Sequence, residues 1–277
     1  MKGIKAVKYQ AVFKRYEIKY RVTEEQRRAV LRAMEPYMSI DDFGLTTIRN
    51  LYFDTDDYIL ARHSIAKPDF KEKFRIRSYA RASSESTVFM ELKRKYDGVV
   101  YKRRVGLTES EADSWTAGKG APLIHKEQPQ LAAEIDYFLT LYGDLKPVVY
   151  LSYDREAYRM KDGSDFRVTF DSRIKARDYD ISLESDVYGT DLIEEGEYLM
   201  EIKCSGGIPL WMTEVLSAEG IYKTSFSKYG TAYQRMIYPA LNTGHVHSFE
   251  RAEQRTGGRE KWRTYYRGYT RQAQLQA

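Results

Sequence analysis

Apolar and charged residues alternate with a period of two along much of the chain, and this pattern predicts strands over 13–22, 47–53, 74–80, 87–95, 99–105, 148–159, 166–174 and 198–203. Successive side chains of a strand point to opposite sides of a sheet, so each strand has two unlike faces. Tyr16, Ile18 and Tyr20 form one face of the first strand, while Arg15, Glu17 and Lys19 form the other. Phe74 and Ile76 alternate with Arg75 and Arg77, Met90 and Leu92 with Glu91, Lys93 and Lys95, and Met200 and Ile202 with Glu201 and Lys203. Lys102 with Arg104, Arg155, and Arg167 with Asp171 continue the pattern. Asp97-Gly98 lies between two runs, and both residues tolerate positive φ, so a hairpin is predicted there.

A longer period marks the helices. Thr23 and Gln26 have the spacing of a capping box and open a helix over 23–38. Thr108 and Glu111 repeat that spacing at the start of a shorter helix. Leu131, Ile135, Phe138 and Tyr142 share one face of a helix over 128–142 that stops at Gly143 and is expected to cover an outside wall of the sheet. Helices over 209–218, opened by Pro209 and followed by Gly220, and over 227–237 are expected to flank or plug one end. The fold class is therefore α+β, a barrel-like antiparallel sheet with flanking helices. Beyond Pro239 the periodicity fades and Arg251, Arg255, Arg259, Lys261, Arg263, Arg267 and Arg271 accumulate, so 1–240 reads as the working domain and 241–277 as a basic tail.

Composition narrows the function classes. At 277 residues and 42% hydrophobic the chain can bury one substantial core. No apolar run approaches the ~18 residues of a membrane span, and the N-terminus lacks a signal-type apolar stretch, so a cytoplasmic location is expected. Cys204 stands alone, which excludes an internal disulfide framework and a thiolate metal cluster. A net charge of +5, from 45 basic and 40 acidic residues, is too balanced for a nucleic-acid coat, and no specific nucleic-acid partner is expected. Ser205-Gly206-Gly207 lacks the remaining residues of a P-loop. His245-x-His247 has no carboxylate at a metal-binding spacing, and Trp115, Trp211 and Trp262 are read as packing residues.

The charged faces carry the chemistry. If the apolar faces pack against helices, the charged faces are either solvated or turned into the interior of a closed sheet. Arg and Lys dominate them in most of the strands and carboxylates are few, which favours the interior. Such a lining repels itself unless an anion neutralises it. Arg offers planar multi-donor contacts and Lys a compact charge, a mixture suited to a string of phosphates. The expected ligand is a linear polyanion. Glu17, Glu91, Asp171 and Glu201 on the same faces can hold a hard divalent cation bridging phosphate oxygens, or can orient a neighbouring Arg.

The ordered segments Arg15-Tyr16-Glu17-Ile18-Lys19-Tyr20, Leu51-Tyr52-Phe53-Asp54-Thr55, Phe74-Arg75-Ile76-Arg77, Glu91-Leu92-Lys93, Tyr153-Asp154-Arg155-Glu156-Ala157, Arg167-Val168-Thr169-Phe170-Asp171, Glu201-Ile202-Lys203 and Ser227-Lys228-Tyr229 are spread in this order through the stretch 9–238. With them the chain resembles the VTC (vacuolar transporter chaperone) domain, the polyphosphate polymerase branch of the CYTH-like triphosphate tunnel metalloenzymes. The resemblance implies an eight-stranded antiparallel β-barrel tunnel. In it the terminal phosphoryl group of ATP passes to a growing inorganic polyphosphate chain with Mn2+ or Mg2+. It implies Lys19, Arg75, Arg77, Lys93, Arg155, Arg167 and Lys228 as phosphate ligands, with Arg75, Arg77, Lys93, Arg155 and Arg167 closest to the transfer. Lys102 and Arg104 share a face and are favoured as further ligands; Arg15 and Lys203 join them by alternation. Glu201 corresponds to the metal-binding glutamate.

Hydrolases of the wider group carry two glutamates and a lysine alternating on the first strand, and here Arg15 stands in the first glutamate's place. That favours a polymerase over a tripolyphosphatase or nucleoside triphosphatase. A non-catalytic polyanion-binding module is the third reading. No SPX-type or membrane-spanning segment accompanies these motifs, so any membrane-protein partner is expected to be a separate chain.

Overall fold

A computed structural model describes residues 16–66, 68–96, 99–119 and 127–242. In order these form β1 (Tyr16–Thr23), α1 (Glu24–Met34), β2 (Met38–Ile40), β3 (Thr46–Asp54), α2 (Ile59–Ala66), β4 (Phe70–Ser78), β5 (Thr87–Tyr96), β6 (Val99–Thr108), α3 (Glu109–Thr116), α4 (Pro129–Tyr142), β7 (Lys146–Met160), β8 (Phe166–Arg177), β9 (Thr190–Asp191), β10 (Glu197–Cys204), α5 (Leu210–Ala218), β11 (Lys223–Thr224), α6 (Lys228–Ala232), a π-helical turn (Tyr233–Ile237) and α7 (Tyr238–Asn242). The chain divides into two units, Met1–Met236 and Ile237–Ala277. The second is described only over 237–242, so most of the expected basic tail, with His245, His247 and Trp262, lies outside the described residues.

Every stretch with a period of two contains a strand among the described residues, residues 13–15 of the first lying outside them, but the sheet is not the expected eight-stranded barrel. It has 11 strands in the order β11-β1-β10-β8-β7-β3-β4-β5-β6, with β2 added to β7 and β9 to β8. Among the described residues no backbone ladder joins its two ends. The outer edge of β1 is instead taken by β11, which pairs with Lys19 and Tyr20. Asp97 and Gly98 lie outside the described residues, while Tyr96 pairs with Val99 on either side of them, as a hairpin requires.

The apolar faces of the strands are covered by helices, as their alternation demands. Leu51, Phe74, Ile76, Met90 and Leu92 pack with Ala132, Ile135 and Phe138 of α4. Tyr20, Val22, Val168, Phe170, Met200 and Ile202 pack with Val30 and Met34 of α1 and Met212 and Leu216 of α5. Each large apolar side chain fully buried in this way contributes about 1.5–3 kcal/mol. The charged faces are thereby committed to the opposite side of the sheet.

Local chemistry sets the helix ends. The Thr23 hydroxyl accepts from the Gln26 N–H at 3.2 Å and the Gln26 side chain accepts from the Thr23 N–H at 3.1 Å. Thr108 and Glu111 repeat the arrangement at 3.2 and 2.9 Å. α1 stops at Met34, short of the expected 38, because Pro36 cannot donate a helical hydrogen bond; Glu35 keeps helical dihedrals, and its N–H bonds back to the Leu31 carbonyl. Met38 belongs to β2 and pairs with Met160. α4 ends on Gly143 at φ 65°, a left-handed conformation that favours glycine. The expected helix over 227–237 is a single α turn followed by the π turn.

Helix α2, absent from the sequence pattern, is held by one buried carboxylate. Asp54 Oδ1 accepts from the Leu60 N–H at 2.9 Å and Oδ2 from the Ala61 N–H at 2.8 Å. The Tyr229 hydroxyl donates to Oδ2 at 2.6 Å, and its ring stacks on Tyr52 at 4.6 Å between centroids. Asp54 therefore ties β3, α2 and α6 together and fixes the residue before Tyr229, which is Lys228.

Candidate functional site

Side chains from distant strands meet on the charged face. Lys93 Nζ on β5 lies 3.4 Å from Glu17 Oε2 on β1, although most of the sheet separates these strands in the ladder. Lys73 Nζ on β4 donates to Ser227 Oγ at 3.0 Å, and Lys19 Nζ on β1 donates to the Phe226 carbonyl at 3.0 Å. These contacts require the sheet to curl until its two ends approach, so the charged face is concave. The walls are drawn together by side chains and by the 226–227 segment instead of by a closed ladder.

One wall gathers around Glu91, which is 2% exposed. Arg75 Nη2 lies 2.6 Å from it, Lys102 Nζ 2.9 Å, Arg104 Nε 3.5 Å and Arg77 Nε 3.9 Å. Arg75 also donates to the Tyr52 hydroxyl at 2.8 Å. Arg77 donates to Asn50 Oδ1 and to the Tyr153 hydroxyl, each at 3.0 Å. Burial alone would raise the Glu91 carboxyl, but Arg75, Arg77 and Lys102 outweigh it and hold the group far below the usual carboxylate range.

The facing wall gathers around Asp171 and Glu201. Arg155 grips Asp171 with two hydrogen bonds, 2.6 and 2.7 Å, and Lys228 Nζ reaches the same carboxylate at 2.5 Å. Glu201 has Lys203 at 2.9 Å, Lys19 at 3.3 Å, and Arg155 and Lys228 at 3.6 Å. Burial works against ionisation of both carboxyls, yet the surrounding cations keep both pKa values lowered. The Tyr153 ring lies beneath Lys228 at 4.5 Å and Arg155 at 5.1 Å.

Between the walls sits Lys73. Among the described residues no carboxylate pairs with it. Burial, followed by the charges of Lys19, Lys93 and Arg75, pushes its pKa well below the ordinary amine value.

The structure thus brings together Lys19, Arg75, Arg77, Lys93, Lys102, Arg104, Arg155, Lys203 and Lys228 on one concave face. Arg167 shares the face of Thr169 and Asp171 but is exposed at the start of β8, opposite Lys203, and so stands at the rim. Arg15 lies outside the described residues. The carboxylates divide: Glu91 serves one wall, while Glu17, Asp171 and Glu201 lie along β1, β8 and β10. Among the described residues no three acidic, His or Cys side chains gather into a group able to cage a metal ion by themselves.

With this geometry in view, the sequence matches the model of the VTC domain over residues 14–237. The chain belongs to the VTC domain family. This VTC domain is 24% identical over 267 residues to vacuolar transporter chaperone complex subunit 4 of Trypanosoma brucei brucei, covering 79% of this chain and 34% of that protein. It therefore spans about a third of that relative's length. Among solved structures it is similar to a candidate adenylate cyclase of Bacillus halodurans, at 18% identity, 80% of this chain, 96% of that one and a TM-score of 0.49. It is also similar to a candidate adenylyl cyclase of Hippeastrum with a dominant triphosphatase activity, at 16% identity, 83% and 96% coverage and a TM-score of 0.42.

Sequence reasoning missed Lys73, Asn50, Tyr52 and Tyr153 in the VTC domain's concave face. Lys73 falls one residue before the expected strand 74–80, and extending the alternation backwards puts Lys73, Arg75 and Arg77 in one row. The two tyrosines carry no such signal, because Tyr suits either face of a sheet.

Proposed function

We propose that this VTC domain is an ATP–polyphosphate phosphotransferase, with the concave face holding the donor triphosphate and the acceptor chain in line. The observation that carries the reading is the excess of cations over carboxylates lining that face, above all half-buried Lys73, which lacks a carboxylate partner among the described residues. A bound polyphosphate would relieve that repulsion, while an uncharged or singly charged ligand would not.

In this mechanism an ionised terminal oxygen of the acceptor chain attacks the γ-phosphorus of ATP. The bond to the bridging oxygen breaks, and ADP leaves with the electron pair. The acceptor is already ionised, so no general base is needed, and the work of the protein is alignment and charge stabilisation. Arg75, Arg77, Lys93 and Arg155 would hold the phosphates near the transfer, with Lys19, Lys73, Lys102, Arg104, Lys203 and Lys228 along the chain and Arg167 at its mouth. Binding would draw these cations from Glu91, Asp171 and Glu201, which now neutralise them.

The ionised oxygens of Glu201, Glu17 and Asp171 suit a hard cation such as Mn2+ or Mg2+, with phosphate oxygens completing its coordination. That ion would neutralise charge on the donor phosphates. We assign this work to residues 1–240 and treat 241–277 as an appendage, at the cytoplasmic side of a complex with a separate membrane-protein partner.

Product analysis tests the reading. With ATP and Mn2+ the protein should make acid-stable phosphate polymer that migrates as a ladder on a gel. Orthophosphate as the only product would assign the face to a triphosphatase. Tight polyphosphate binding without turnover would make it a binding module.

A further inference from the structure

On the opposite, convex side of the sheet four buried polar atoms fall together without completing a hydrogen bond: Arg49 Nε, Tyr150 Oη, Ser152 Oγ and Arg177 Nη2. Register places them side by side, since Arg49 on β3 pairs with Ser152 on β7 and Tyr150 pairs with Arg177 on β8. Tyr150, Ser152 and Arg177 are each 0% exposed. The Tyr150 ring carries the Arg177 guanidinium at 3.6 Å, and the Tyr188 ring lies at 4.2 Å from the same group. Burial raises the Tyr150 phenol, and Arg49, Arg177 and Ser152 act on the same hydroxyl to lower it, so all four groups share one small volume.

The neighbouring cations of this face have acidic partners. Arg173 pairs with Asp154, and Lys175 pairs with Asp191 at 2.8 Å. Arg177 has Asp180 only at 3.6 Å and spends its other N–H groups on the carbonyls of Asp180, Asp186 and Tyr188. Among the described residues Arg49 has no acidic partner. Two guanidinium groups and two hydroxyls converge there, every one of them able to donate, and an oxyanion is the ligand that accepts from all of them.

We propose that Arg49, Tyr150, Ser152 and Arg177 form a second anion site for a single small tetrahedral oxyanion, of the size and charge of inorganic phosphate. A polyphosphate chain in the concave face cannot reach it, because the sheet lies between, so the site responds to free phosphate. It locks the loop after β8 against β7, since Arg177 already holds three carbonyls of that loop.

Equilibrium dialysis of the full chain against labelled inorganic phosphate, with saturating tripolyphosphate present to occupy the concave face, tests this. One phosphate per chain should still bind. Arg49→Leu and Ser152→Ala should each weaken it by roughly tenfold or more, while Arg28→Ala, on the exposed side of α1, leaves it unchanged. A crystal grown with tungstate should show the heavy oxyanion beside Tyr150 Oη. No phosphate bound beyond the tripolyphosphate site, with ordered water alone beside Tyr150, would overturn the proposal. So would phosphate binding that both variants retain.

Discussion

Lys93 on β5 reaches Glu17 on β1 at 3.4 Å, and this ion pair joins the two ends of an open sheet where a closed barrel would have a ladder. The pair is partly solvated, so it holds the walls together weakly and leaves them free to part for a chain of phosphates. Glu17→Ala should cost less than about 1 kcal/mol in urea unfolding. It should also tighten metal-free tripolyphosphate binding by removing a negative charge from the groove. A loss of several kcal/mol would mean that the pair is structural.

Asp171 is the opposite case. It is fully buried beneath Arg155 and Lys228, so Asp171→Ala leaves these two cations with only the more distant Glu201, at 3.6 Å from each. The expected loss is about 3–5 kcal/mol. Tripolyphosphate should restore much of it, because the ligand supplies the missing negative charge, and thermal melts with and without ligand check both halves.

Lys73 should report binding through protons. Its pKa is depressed in the free protein by burial and by Lys19, Lys93 and Arg75, and a polyanion would raise it towards or above the ordinary value. Tripolyphosphate binding should therefore take up protons at pH values between the depressed and the restored pKa. Calorimetry over a series of pH values below the ordinary amine pKa, in buffers of different ionisation enthalpy, measures that uptake. Lys73→Met should reduce it and weaken binding by roughly tenfold.

Stability should fall on both sides of mildly acidic pH. The lowered carboxyls of Glu91, Asp171 and Glu201 contribute stability above their unfolded pKa values, and it is lost as pH falls through the folded ones. Glu109 acts in the other direction. Burial, with Glu184 and Asp113 nearby, pushes it from 4.5 to about 7, so its contribution is complete below about 4.5 and lost as pH rises through about 7. Glu109→Gln should flatten the alkaline limb between pH 5 and 8 in urea melts and leave the acid limb unchanged.

Much of this was legible in the chain because one face of each strand is apolar and the other charged, and capping residues such as Thr23 and Thr108 mark their helices. The same rule explains what was missed. Glu72 lies on the apolar side of β4, buried against Arg94 at 2.5 Å and Tyr142 at 2.8 Å. That breaks the alternation and hides the strand's first residues, Lys73 among them. β9 and β11 are two residues long, too short for a period, and α2 depends on Asp54 receiving hydrogen bonds from residues six and seven positions on. The open sheet is equally invisible, since Lys93 and Glu17 carry the alternation of a closed barrel wherever their strands end.

The central claim, that the concave face holds a chain of phosphates, is tested most directly by a crystal structure with tripolyphosphate. The account predicts phosphate oxygens within hydrogen-bond distance of Lys73, Arg75, Lys93, Arg155 and Lys228, with the Lys93–Glu17 and Lys228–Asp171 contacts lengthened. Tripolyphosphate found only outside that face, with both ion pairs unchanged, would contradict it.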